Sequence, residues 1–222
     1  AYQPSYDTIL SLEPDLIIAD SVIHAGQEYQ QALQQLGVPV IFAGAESYQD
    51  VIDSVALVGE VFDAKDKADE VIAEIEQARD EARAALEGKN ISAVAMIAGR
   101  DQTLYAAKES SYVGDLLKEV GFNNPAASQP DSGPFPGYST LAPEKLIEFN
   151  PDIIFTISPG SQSGAPMLST LVPQMPPFAG LKAVQSNMVV ELDVKLFLES
   201  PGPRIVEAFK ALSDAAEQVP AQ

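Results

Sequence analysis

The sequence predicts an α/β fold in which two related lobes, each with a parallel sheet, flank one long helix and the first lobe is incomplete. Three observations carry this. A unit repeats: TILSLEPDLII at 8–18 returns as KLIEFNPDIIF at 145–155, 137 positions later. In each copy apolar residues at helical spacing (Ile9, Leu10, Leu12; Leu146, Ile147, Phe149) end at a Pro-Asp pair, and Pro14 and Pro151 stop the helix. The runs that follow, Leu16-Ile17-Ile18 and Ile153-Ile154-Phe155, read as short strands buried on both faces. Helix, stop and buried strand form one αβ unit of a parallel sheet. The second observation is a stripe of Ala68, Val71, Ile72, Ile75, Ala78, Ala82, Ala85 and Leu86, with acids and bases on the remaining faces. It makes 64–88 a helix on the order of 35 Å long, a solvated and rigid connector. The third is an asymmetry. The second copy is preceded by a strand, a helix and a long loop, whereas the first has seven residues before it. An N-terminally shortened first lobe is therefore expected, dividing the chain into 1–63, 64–88 and 89–222.

The remaining elements follow in order. QEYQQALQQL at 27–36 is helical and Gly37 ends it; VPVIF at 38–42 is a buried strand, and 47–62 a further helix. ISAVAMIA at 91–98 opens the second lobe, followed by a turn, by TLYAA at 103–107 as the next strand and by a helix at 111–120. Residues 122–139 are rich in Pro, Gly, Ser and Asn and read as a loop, as do 158–166. NMVVEL at 187–192 is the last strand and 202–217 the last helix.

Composition excludes several classes of function. Of 222 residues, 46% are apolar and 20% charged, which describes a chain with a real core. The net charge of −19 argues against nucleic acid and anionic membrane surfaces, which need basic patches. Cys is absent, which removes disulfides, zinc–thiolate sites and cysteine nucleophiles and fits an export compartment. Phosphate-loop, dinucleotide and H-E-x-x-H motifs are missing. GSQSG at 160–164 carries Gln162 where a nucleophile elbow needs Ser. His24 is the single histidine, with no nucleophile placed near it, so no enzyme is expected.

Candidate binding residues lie after strands, where open α/β sheets hold ligands. His24 follows the strand ending at Asp20; a surface imidazole bonded to nearby backbone is the alternative. Residues 1–64 contain no Lys or Arg. Arg100, Lys108 and Lys195 sit after predicted strands, where an acidic protein would gather charge for an anionic ligand. Arg100 leads, because its guanidinium fork matches a carboxylate bidentately; pairing with Asp101 is the competing role. Tyr112, Phe135 and Tyr138 can wall a large, partly flat ligand, with Tyr138 facing the cleft, whereas Tyr105 suits the core. Asp7, Glu144 and Glu199 stand ahead of helices, where an acid complements the dipole.

Taken together, PSYDTILSLEPDLIIAD at 4–20, the 64–88 helix, APEKLIEFNPDIIF at 142–155 and LFLESPGPRIVEAFKAL at 196–212 resemble the periplasmic substrate-binding proteins that serve ABC importers of ferric siderophores, haem and cobalamin. The resemblance implies two Rossmann-like lobes joined by one rigid helix, with the ligand between them and little hinge closure. It also implies that an acid on each lobe docks onto arginines of the permease transmembrane subunits. Those acids match Asp7, where the family's P-x-x-E pattern has Glu, and Glu199 before Pro-Gly-Pro-Arg. The loop before Glu199 offers Lys195 and Phe197 instead of a Tyr, which lowers the haem reading. The run from SPGS to SPGPRIVEA is most like the ferric-siderophore and ferric-citrate branch.

The expectation is thus a monomeric carrier in the periplasm or at the extracytoplasmic surface, with a lipid anchor possible in a longer form. It takes an iron chelate as cargo, with no protein ligand to metal and no cofactor. Haem or cobalamin binding, an enzyme or metal-cluster scaffold on the same fold, and a chain that binds nothing are the alternatives.

Overall fold

The computed structural model of the chain describes residues 4–20, 26–199 and 201–220. The first sheet is built from α1 (Tyr6–Ser11), β1 (Ile17–Ala19), α2 (Gln27–Gln34) and β2 (Val40–Phe42), and is followed by the helices α3 (Tyr48–Val61) and α4 (Lys65–Leu86). The second sheet takes β3 (Ala93–Ala98), β4 (Leu104–Ala107), α5 (Tyr112–Val120), β5 (Tyr138–Thr140), α6 (Pro143–Phe149) and β6 (Ile153–Ile157). The short helices α7 (Leu168–Leu171) and α8 (Lys182–Gln185) lead to β7 (Val189–Leu192), α9 (Val194–Phe197) and α10 (Ile205–Glu217).

β1 and β2 pair in parallel, Ile18 opposite Ile41. The larger sheet has the order β5-β4-β3-β6-β7, with β3, β6 and β7 parallel. β4 departs from the expected parallel sheet, since it runs antiparallel to β3 with Ile97 opposite Tyr105. The cause is loop length: only residues 99–103 separate the two strands, and a parallel crossover needs about a dozen. A hairpin forms instead. The Gly99 N–H donates to the Thr103 carbonyl at 2.8 Å, and Gln102 takes φ 67°. β5 in turn pairs antiparallel to β4, so the end of the expected loop is a strand.

The two copies of the repeat fold alike but are buried differently. β6 lies between β3 and β7 and is closed on both faces, with Phe155 0% exposed. Its counterpart β1 has, among the described residues, β2 on one side only, and Ile18 is 51% exposed. The expectation of burial on both faces therefore fails for β1, because two strands offer too little sheet for covering layers.

α4 is not a bare rod. Its stripe packs along α10 and α3, and Ile75, Ala82 and Leu86 are buried with Phe209 and Leu212 of α10 in the main core. The acids and bases on its other faces form exposed pairs such as Lys65–Asp69 and Lys67–Glu70. Close approach of α3 to α4 needs Gly59: a Cβ there would stand 2.4 Å from that of Ala68. Burial of Ile75 alone stabilises by about 1.5–3 kcal/mol.

α3 is capped twice. The Ser47 hydroxyl oxygen accepts the Asp50 N–H at 3.2 Å, and Asp50 accepts from the Glu46 N–H at 3.1 Å. The Tyr48 N–H then donates to Asp115 Oδ2 of α5 at 2.7 Å. Burial raises the Asp115 carboxyl above the ordinary Asp range; the Tyr48 N–H and Lys118 oppose this, and Glu119 and Glu109 add to it. The folded chain thus holds this proton more tightly than the unfolded one. The group's contribution to stability is complete below the unfolded pKa, roughly 4, and is lost as pH rises through the folded value. Asp115→Asn keeps an acceptor for Tyr48 and removes that loss. We expect its urea midpoint to exceed that of the wild type at pH 7, with the gap closing toward pH 4. Equal midpoints at pH 7 would contradict this account.

Candidate functional site

The carboxyl ends of β3, β6 and β7 lie along one edge of the larger sheet. β3 and β7 flank β6, so at about 4.8 Å per strand their exits stand about 10 Å apart. From β3 come Gly99, Arg100 and Asp101. β6 leads into a 3₁₀ turn at Pro159–Ser163, and β7 into Asp193 and α9.

The structure brings Arg100 and Lys195 to this edge. Both side chains are exposed, and neither has an ion-pair partner among the described residues. Asp101 forms no ion pair with Arg100; its carboxylate accepts the Thr103 hydroxyl at 2.8 Å and the Thr103 N–H at 3.2 Å. Those two bonds hold its carboxyl below the usual Asp range. Beside Lys195 is a cavity of about 650 Å³ lined by Ser161, Met167, Glu191, Asp193 and Val194.

Lys108, Tyr112 and Tyr138 do not join them. Lys108 does follow a strand, as expected, but β4 runs antiparallel to β3, so its exit is at the opposite edge. Continued past Met96–Ala106, the register sets Lys108 level with Val94, about 13 Å back from Ala98. There Lys108 is 13% exposed and paired with Asp131 at 2.5 Å. Tyr138 sits opposite Ala107 in β5 and is 8% exposed, not open in a loop facing a cleft. Burial pushes its hydroxyl well above the usual tyrosine range. The Tyr112 hydroxyl is buried with no hydrogen-bond partner among the described residues, and is raised by burial first and by Asp115 second. Tyr105 is buried, as expected, and meets Phe135 edge-on at 5.0 Å.

Asp7 is exposed in the first turn of α1, behind the Ser5 cap. Glu199 is exposed just past α9, its N–H donating to the Val194 carbonyl at 3.1 Å. His24 lies outside the described residues.

A family model described as periplasmic binding protein matches residues 1–196. The chain belongs to this family. The binding protein is 35% identical over 152 residues to the Fe(3+) dicitrate-binding periplasmic protein FecB of Escherichia coli, covering 67% of this chain and 47% of that one. To the high-affinity heme uptake system protein IsdE of Staphylococcus aureus it is 26% identical over 194 residues, covering 86% and 64%. Petrobactin-binding protein YclQ of Bacillus subtilis shares its fold, with a TM-score of 0.85 at 21% identity over 97% of this chain and 75% of that one. The chain thus spans less than two thirds of the length of these curated relatives.

Two features of the binding protein escaped sequence reasoning. Glu191, near the end of β7, is fixed over the β6 exit by the Thr156 hydroxyl at 2.8 Å and the Ser169 N–H at 3.1 Å. The Ser158 hydroxyl oxygen accepts the Leu168 N–H at 2.8 Å, which closes the intervening loop. Ser158 and Thr156 flank Ile157 in a strand that otherwise reads as continuous core, and two hydroxyls there were the available signal. The other feature is an apolar cavity of about 440 Å³ between Ala43, Val51, Val55, Val58, Phe62 and Pro203. It joins segments far apart in sequence, so no local pattern announces it. For the Glu191 contact, Thr156→Val preserves shape but leaves the carboxylate one donor short. A stability loss of about 1–3 kcal/mol in urea unfolding is expected, whereas Thr156→Ser, which keeps the hydroxyl donor, should avoid most of that loss. A wild-type midpoint for the valine variant would show that this hydrogen bond contributes nothing.

Proposed function

We propose that this binding protein is the substrate-binding component of an ABC importer, capturing an iron chelate, ferric siderophore or ferric citrate, between two lobes. Residues 1–63 belong to the first lobe, 64–88 form the connecting helix and 89–222 the second lobe. The observation that carries the reading is Arg100 and Lys195, two cations without ion-pair partners among the described residues, on the strand-exit edge of a chain with net charge −19. At that edge they suit the carboxylate oxygens of a pre-formed chelate. The similarity to the dicitrate-binding FecB supports the same class of cargo. Iron arrives already coordinated and is cargo, so the protein needs to grip the outside of the chelate and change no bond. Asp7 and Glu199 then present the loaded protein to arginines of the permease, a contact that sets orientation and association rate. The periplasm or the extracytoplasmic surface is where such a carrier works.

Ferric dicitrate titration, followed by tyrosine fluorescence because Trp is absent, tests the cargo. Arg100→Gln and Lys195→Gln should each weaken binding by about tenfold to a hundredfold, the worth of a charge-assisted contact. Saturation by haemin, with no response to ferric dicitrate, would overturn the choice of chelate. Docking is tested separately. Asp7→Ala combined with Glu199→Ala should abolish cellular uptake at unchanged ligand affinity, and an undiminished uptake rate would remove that assignment.

A further inference from the structure

Just behind the strand-exit loop of the first sheet, three later helices converge on a single residue. Tyr48 is the first residue of α3, directly behind the loop 43–47 that leaves the carboxyl end of β2. Its side chain is 6% exposed. The Arg79 guanidinium of α4 lies over the ring, 5.0 Å from its centroid, and Arg79 Nη1 donates to the Tyr48 hydroxyl at 3.2 Å. Phe209 of α10 tilts against the same ring at 5.9 Å. The Tyr48 N–H is taken by Asp115 of α5 at 2.7 Å. Arg79 is itself held by Asp80 through Nε at 2.9 Å and Nη2 at 2.7 Å. The loop ahead of Tyr48 is tied down as well, since the Ser54 hydroxyl donates to the Gly44 carbonyl at 3.1 Å.

Among the elements before α4, α3 makes the extensive contacts with the helices that cover the larger sheet, while β1 and β2 pair chiefly with each other. Whatever holds the start of α3 therefore also holds the strand-exit loop of the first sheet. We propose that Tyr48, with Arg79 and Asp115, is a positioning latch: it fixes loop 43–47 against the second half of the chain and so sets the width of the ligand cleft without touching ligand. This rests on the proposed capture between lobes. A cleft held at one width is already organised for its cargo, and a loosened one is competent only for the fraction of time it is correctly spaced. Apparent affinity falls by that fraction.

The test uses the purified protein, its Asp115→Ala, Asp115→Asn and Arg79→Gln variants, and ferric dicitrate as probe. Binding is read by tyrosine fluorescence and amide hydrogen exchange at residues 43–47 and 93–98. Asp115→Ala and Arg79→Gln should bind about tenfold more weakly, as for a cleft competent about a tenth of the time. Exchange should rise at 43–47 and stay unchanged in β3. Asp115→Asn, which still accepts the Tyr48 N–H, should restore both. Wild-type affinity in the alanine variant, or exchange rising equally in β3, would overturn the latch in favour of a purely structural contact. If wild-type protein binds neither ferric dicitrate nor haemin, the capture reading fails instead. The exchange arm alone then decides the latch, which stands only if protection is lost at 43–47 and regained in the asparagine variant.

Discussion

An apolar stripe along a 22-residue helix cannot be left in water. α4 carries such a stripe, and α10 and α3 cover it. Because α3 directly precedes α4 and α10 comes from the end of the chain, this one burial joins a local helix pair to a segment more than 100 residues away in a single core. Ile75, Ala82 and Leu86 share that core with β3 and β6. The helix is therefore both a link between the two sheets and a layer over the second one, and its stiffness comes from packing as much as from its own hydrogen bonds.

The chemistry at the strand exits depends on a smaller constraint, the five residues between β3 and β4. A chain that turns back within five residues must pair antiparallel. That reversal carries Lys108, Tyr112 and Tyr138 away from the edge where Arg100 and Lys195 stand. It also leaves Asp101 occupied with Thr103, so that Arg100 stays open to a ligand. The same residues in a parallel arrangement would have made a cluster of three cations. As folded, the edge offers two, beside a Glu191 carboxylate already satisfied by Thr156 and Ser169.

The halves are unequal in burial. Phe155 and Ile18 occupy equivalent places in the repeat, yet one is sealed and the other half open to solvent. A two-stranded sheet has little stability of its own. In this chain the first sheet is linked to the rest through α3, whose start is clamped at Tyr48 by α4, α5 and α10. The first sheet thus reaches the rest of the chain through the packing of one helix, α3, whereas the second sheet lies within a continuous core.

Sequence alone determined what is local. The Pro-Asp stops, the α4 stripe and the buried Ile153–Phe155 run each act within one or two turns of chain, so pattern and propensity reveal them. Arg100 and Lys195 were legible as strand-exit cations for the same reason. Strand direction, the sealing of β6 against the openness of β1, the Glu191 anchorage and the Tyr48 junction were decided by tertiary structure. Each depends on which segments distant in sequence come to lie side by side, and no spacing within a single segment encodes that.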